Sequence, residues 1–297
     1  MQHIIIDTDM GNDVDDALAL AVAFALQRRG VIQLDAIVLS RAGHDAAAFC
    51  AALCAFYGFP DTPIGVMRDG LVSAENRFLH LADHWPHRYN AHTAPDALTL
   101  LRQRLQALPD GSVTIVQIGF ATNTAALLKD PTDVALIRRK VKQLSVMAGA
   151  FVPIDGDPAF KEFNVMCDIP AMQQIALHWP TPIIWNGFEV GIALRYPHQS
   201  IAHDFGWVAR HPVVEGYRAY CAPDEDRPSW DLVSVLYPAY PERGYVDASA
   251  TGVVTVADDG ATSFVESPTG QHQVLRLRPD QQPRLLEALV QLVSQPR

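Results

Sequence analysis

The chain has 297 residues, 49% of them hydrophobic, and a formal net charge of −10. That length suits one large α/β domain or two small ones, and that hydrophobic share supports a sizeable core. The acidic balance excludes a basic, nucleic-acid-reading surface. No apolar run reaches the length of a membrane-spanning helix, so no membrane partner is expected.

The chain opens Met1-Gln2-His3 and passes directly into Ile4-Ile5-Ile6, a short buried strand, so no signal peptide is expected. An Ala/Leu-rich run over 17–26 reads as a helix. Between them Asp7, Asp9, Asp13, Asp15 and Asp16 crowd one turn with Gly11. So many carboxylates repel one another unless something positive sits among them. A helix N-terminus supplies only about half a unit charge, and capping needs one or two Asp rather than five. A bound divalent cation accounts for the rest, and all-oxygen ligands suit a hard ion such as calcium or magnesium.

Residues 34–39 read as a second strand, and 46–57 as a helix ended by Gly58-Phe59-Pro60. Residues 64–66 form a short third strand. The stretch 67–95 is irregular and rich in His, Asn and Arg, as a lid or functional loop would be. A helix over 97–108 turns at Pro109-Asp110-Gly111. A strand over 113–119 then runs into Phe120-Ala121-Thr122-Asn123, which opens another helix. A strand over 144–149 is followed by a long loop, 150–168, containing Glu162-Phe163-Asn164. A helix over 170–178 and a strand over 182–185 follow. Segments 253–256 and 263–265 flank Asp258-Asp259-Gly260, a hairpin signal, and an amphipathic helix over 283–293 closes the chain.

This alternation predicts an α/β fold: an open, mostly parallel central sheet with helices on both faces, plus a small C-terminal hairpin. No repeat or linker divides the chain, so residues 1–297 read as a single domain. In such sheets ligands bind beyond the carboxyl ends of the strands. The Asp-rich turn, Ile118-Gly119, the loop after Gly149 and Trp230-Asp231 all fall there. Cys50 and Cys54 sit four apart on an apolar helical face. Without a partner pair at zinc spacing they read as core, and with Cys167 and Cys221 they fit a reducing cytoplasm.

Three cation-based readings of the turn compete. An EF-hand fails because Gly11 falls one position early and Leu18 stands at the last ligand position. A haloacid-dehalogenase-type phosphatase matches at Asp7 and Asp9, but Gly11 stands where Thr or Val is expected. The best fit is a resemblance to the nucleoside hydrolases, the inosine-uridine-preferring N-ribohydrolase family, whose usual motif reads Asp-x-Asp-Pro-Gly-x-Asp-Asp-Ala. It is carried by Asp7-Thr8-Asp9-Met10-Gly11 with Asp15-Asp16-Ala17, then Gly119 with Thr122-Asn123, Met147-Ala148-Gly149, Glu162-Phe163-Asn164 and Asp231, in order along the chain.

The resemblance implies calcium held by Asp9, Asp16 and Asp231 and by the backbone carbonyl of Ile118. That ion would also hold the ribose hydroxyls and the attacking water. Asp15 would be the general base, and Glu162 and Asn164 would bond the sugar hydroxyls. Met147 and Trp230 would line the substrate pocket. The implied partner is a small-molecule nucleoside, and the implied assembly a homodimer or homotetramer. The chemistry suits these residue types, since cleavage of an N-glycosidic bond passes through an oxocarbenium-like cation that carboxylates favour.

The sequence also departs from the family. Its Asp loop is two residues longer, with Asp13 and Val14 the apparent insertion when Asp15-Asp16 is anchored to the helix; aligned from the other side, Asp13 is the base or a ligand. Met10 replaces Pro, and Ser40 or Arg41 stands near an expected Asn. Trp230 occupies the position where many relatives carry His; it can stack on a base but gives no useful proton. A non-catalytic ribose-binding relative is therefore the competing reading. His80, His84, His87 and His92 are candidate leaving-group acids or ordinary loop histidines. Glu189 either lines the pocket or pairs with Arg195. Tyr217, Tyr220 and Trp230 form either a base-binding wall or core. Arg138, Arg139, Lys140 and Lys142 read as a solvated basic face.

Overall fold

The computed structural model describes residues 1–68, 70 and 76–297. Twelve strands occur among them: β1 (Gln2–Thr8), β2 (Ile32–Ala42), β3 (Ile64–Met67), β4 (Val113–Gln117), β5 (Val141–Met147), β6 (Ile183–Asn186), β7 (Arg195–Tyr196), β8 (Arg227–Pro228), β9 (Val246–Ala248), β10 (Gly252–Val256), β11 (Thr262–Glu266) and β12 (His272–Leu277). Ten of them form one sheet in the order β11-β10-β12-β6-β5-β4-β1-β2-β3, with β9 paired to β12. The run from β12 to β3 is parallel throughout.

Along β1 the side chains alternate between faces. Ile4 and Ile6 pack with one buried cluster and Ile5 with the other. The helices covering the first face include α1 (Asp15–Arg28), α2 (His44–Phe56), α10 (Pro212–Tyr220), α11 (Trp230–Ala239) and α12 (Gln282–Val293). The second face is covered by α3 (Ala97–Ala107), α4 (Thr122–Ala126), α5 (Pro131–Lys140) and α7 (Ile169–His178). Three short helices complete the set: α6 (Phe163–Cys167), α8 (Phe188–Ala193) and α9 (His198–His203).

Strand order reverses between β1 and β4, both of which lead into the Asp-rich loop and Ile118-Gly119 respectively. Such a switch point leaves a crevice at the carboxyl ends of the strands. The two loops touch there, with Ile118 N donating to Asp7 O at 2.7 Å. Gly119 is required by this approach: a Cβ would lie 2.5 Å from the backbone nitrogen of Asp9 and 2.3 Å from Ser40 Oγ.

Several elements differ from the reading of the sequence. The hairpin of β10 and β11 is present, but it continues the main sheet through β12, which pairs in parallel with β6. The loop 150–168 ends in α6, which carries Phe163 and Asn164. Strand β5 starts at Val141 and takes in Lys142. Lys140 is buried, donating to Leu108 O at 2.6 Å and pairing with Asp110, so it leaves the proposed solvated face. The irregular stretch 67–95 contains a 3-10 turn at Leu79–His84, and its reading as a loop falls in part on 69 and 71–75, outside the described residues. Cys50 and Cys54 are buried core side chains.

Candidate active site

A cavity of about 270 Å³ opens at the switch point. Asp9, Asp13, Asp15, Asp16, Ile118, Met147, Glu162, Asn164, Trp230 and Asp231 all line it, so the structure brings these ten expected residues together. Asp15 and Asp16 occupy the first turn of α1, and Asp231 that of α11. The two helices pack together with these N-terminal turns facing, and a helix N-terminus favours negative charge.

The carboxylates are held in place by named partners. Asp15 Oδ2 accepts from the backbone nitrogens of Trp230 (3.0 Å) and Asp231 (3.3 Å), so it ties α1 to α11. Asp16 accepts from the Thr8 hydroxyl. Asp9 accepts from the Asn12 amide, and Asn12 Oδ1 receives Arg41 Nη1 at 3.5 Å. Asp7 does not reach the cavity; it accepts from Asn123 Nδ2 at 3.2 Å, and the same amide bonds Leu39 O, which joins the ends of β1 and β2 to α4.

One oxygen each from Asp15, Asp16 and Asp231 lie within 4.8 Å of one another, and all three residues are at most 4% exposed. Burial, then the neighbouring carboxylates, pushes all three carboxyls well above their ordinary range. Burial likewise raises Asp9 to about 6, against the Asn12 hydrogen bond. A buried carboxylate cluster of this density is relieved by a cation among its oxygens. The residues present therefore fit a hard metal ion. The closest trio contains Asp15 in the place that the resemblance gives to Asp9.

Asn164 Nδ2 donates to the carbonyls of Ile118 (3.2 Å) and Met147 (3.1 Å). Thus the amide rests on the carbonyl expected to face the ion. Glu162 caps α6: Oε1 accepts from Asn164 N, and Oε2 from Gly149 N and Val165 N, at 2.8 to 3.1 Å. Burial raises its carboxyl to about 7 even so. Its oxygens thus hold three backbone N–H groups while the residue lines the cavity.

Four lining residues were not assigned to the site from sequence: Asn12, Phe163, Phe188 and Arg227. Tyr220 and Trp230 line the cavity, whereas Tyr217 is buried with its hydroxyl on Tyr196 O and Glu225 O. The Trp230 ring lies 5.3 Å from that of Phe188. Glu189 accepts from Phe151 N at 3.3 Å, away from this cavity. Ser40 Oγ accepts from Phe120 N. Among the described residues, none of His80, His84, His87 and His92 lines the cavity, and no helix is long and apolar enough to cross a membrane.

Comparison with known proteins adds an independent observation. Residues 4–274 match the family described as inosine-uridine preferring nucleoside hydrolase. Uridine nucleosidase 1 of Arabidopsis thaliana is 28% identical over 177 residues, 56% of this chain, and the match spans about half (51%) of that relative's length. A plant nucleoside hydrolase, the PpNRh1 enzyme, superposes with a TM-score of 0.78 over 99% of both chains at 24% identity. A purine-preferring ribonucleoside hydrolase from Gardnerella vaginalis gives 0.80 over 99% of this chain and 98% of its own at 17% identity. At these identities the two structures speak for the fold alone, and the family match covers nearly the whole chain. With a crevice at the strand switch point, lined by the acidic turn, Asn164 and Asp231, the protein is a member of the inosine-uridine preferring nucleoside hydrolase family.

Proposed function

We infer that the protein hydrolyses the N-glycosidic bond of a ribonucleoside, giving free base and ribose, with calcium as its metal. The observation that carries this reading is the convergence of Asp15, Asp16 and Asp231 on one cavity with Asn164 and two aromatic walls, in a chain of this family. In this reading Asp9, Asp16, Asp231 and the Ile118 carbonyl hold the ion. When bound, calcium supplies a fixed positive charge that grips sugar hydroxyls and makes a water molecule more acidic. Asp15 takes the water's proton: both of its backbone bonds fall on Oδ2, which leaves Oδ1 for that work. The remaining carboxylates favour the positive charge that develops on the sugar. Asn164 orients the sugar, with Glu162 fixing its backbone. Met147 closes the sugar side, and Tyr220 and Trp230 stack on the base.

The closeness of Asp15 to Asp16 and Asp231 favours a second assignment, in which Asp15 is a ligand and Asp9 the base. Metal content separates the two. In the first, Asp15→Ala retains calcium and loses about 10²- to 10⁴-fold in turnover; in the second, Asp15→Ala loses calcium and Asp9→Ala retains it while losing turnover. Asp13 is disfavoured as base because its carboxylate is already paired with Arg227.

The test of the reaction itself is reducing-sugar release from a nucleoside panel in excess calcium, with and without a chelator. No release from any nucleoside by calcium-loaded protein that still binds ribose would leave a binding protein instead. The wider reading is a single-domain, cytoplasmic enzyme of nucleoside salvage, working as a homodimer or homotetramer. Its four free cysteines support a reducing compartment, and the assembly rests on family resemblance.

A further inference from the structure

Asp13 lies in the Asp-rich loop between β1 and α1, and its carboxylate is gripped by a residue more than 200 positions away in the chain. Arg227 on β8 donates through Nε to Asp13 Oδ1 at 3.0 Å and through Nη2 to Asp13 Oδ2. Its Nη1 donates to Glu225 Oε1 at 3.1 Å. A guanidinium has five N–H groups, so two remain uncommitted. The guanidinium carbon lies 5.1 Å from the Tyr220 ring centroid and 5.6 Å from that of Trp230, the two rings packed against it at the cavity wall. Among the described residues Arg227 is the only basic side chain lining the cavity, opposite Asp9, Asp15, Asp16, Glu162 and Asp231.

That arrangement answers a difficulty in the proposed reaction. The bond between the anomeric carbon and the base nitrogen breaks with both electrons going to the base. Water oxygen bonds the anomeric carbon and its proton passes to Asp15. The base, leaving as an anion into a cavity of carboxylates, meets repulsion. Trp230 offers it no proton, since Nε1 donates to Phe188 O at 3.2 Å. We propose that Arg227, held in plane by Asp13, binds the departing base through its two free N–H groups and lowers the cost of its negative charge. The base then takes a proton from solvent and Asp15 returns its own, so that one water is consumed. Asp13 is the positioning residue. This proposal rests on the N-ribohydrolase reading.

The experiment compares two substrates of calcium-loaded protein: the nucleoside turned over fastest, and 4-nitrophenyl riboside, whose phenolate leaves unaided. Arg227→Gln is expected to lower kcat on the nucleoside by about 10²- to 10³-fold and on the aryl riboside by less than about tenfold, with ribose affinity in calorimetry unchanged. Arg227→Lys recovers part of the loss, and Asp13→Asn shows the same substrate contrast at smaller size. Equal losses on both substrates, or weakened ribose binding, would make Arg227 structural and overturn the proposal, as would no loss on either. Wild-type protein inert towards every nucleoside overturns the reaction itself, an outcome distinct from an active enzyme indifferent to Arg227.

Discussion

Gly119 shows how one missing methyl group sets the geometry of the acidic turn. Its Cα faces the Asp9 backbone so closely that alanine needs the ends of β1 and β4 to part. Gly119→Ala is expected to cost about 1–3 kcal/mol, read as a lowered urea midpoint, and to weaken calcium binding because Asp9 moves with its backbone. The carboxylates are separable in the same way. Asp231→Ala removes one oxygen donor from the trio and leaves Asp15 and Asp16 unbridged. In the calcium reading, the ion should then no longer raise Tm, whereas in the wild type a free concentration of 100 times Kd should add about 2.7 kcal/mol. Most of these acidic residues were legible as a motif because they are neighbours in sequence. Arg227 was not, because it meets Asp13 only through the fold and a single arginine in a Pro/Asp-rich stretch carries no pattern.

At the scale of elements, the short helix α6 matters more than its five residues suggest. Its N-cap is Glu162, whose oxygens take three backbone N–H groups. Burial raises this carboxyl from 4.5 to about 7. A raised folded-state value means that the bound proton stabilises the fold fully below about 4.5 and ceases to do so as pH rises through about 7. In metal-free protein, the stability of wild type minus that of Glu162→Gln should therefore shrink across that window, as thermal melts in chelator would show. Glu162→Ala should cost about 1–2 kcal/mol as a lost cap and raise KM by freeing Asn164. The motif around Glu162 was visible in sequence, but its capping role was not, because the same three letters suit a sugar ligand. Strand β12 escaped for another reason. Its Gln273 and Arg276 interrupt the apolar run by which buried parallel strands are recognised, and only its pairing with β6, β9 and β10 defines it. The alternating strands and helices up to β6 were legible because their apolar runs are bounded by turn residues, whereas the elements between β6 and β10 were not read.

For the whole molecule, the edge hairpin and the crevice are coupled. The Thr262 hydroxyl on β11 donates to Ala150 O and accepts from Ala150 N, each at 2.9 Å, clasping the start of the segment that leads to Glu162. Thr262→Val should leave the fold intact, judged by circular dichroism, yet raise KM for the nucleoside as that segment loosens. The ordering of the site along the polypeptide has a further consequence for biogenesis. Asp15 and Asp16 leave the ribosome early, Asp231 late, and the cavity needs all three. In the calcium reading proposed above, the ion would therefore neither nucleate collapse nor rescue a truncated nascent chain; it would seal a tertiary structure already assembled, so chelators should spare refolding rates and accelerate unfolding.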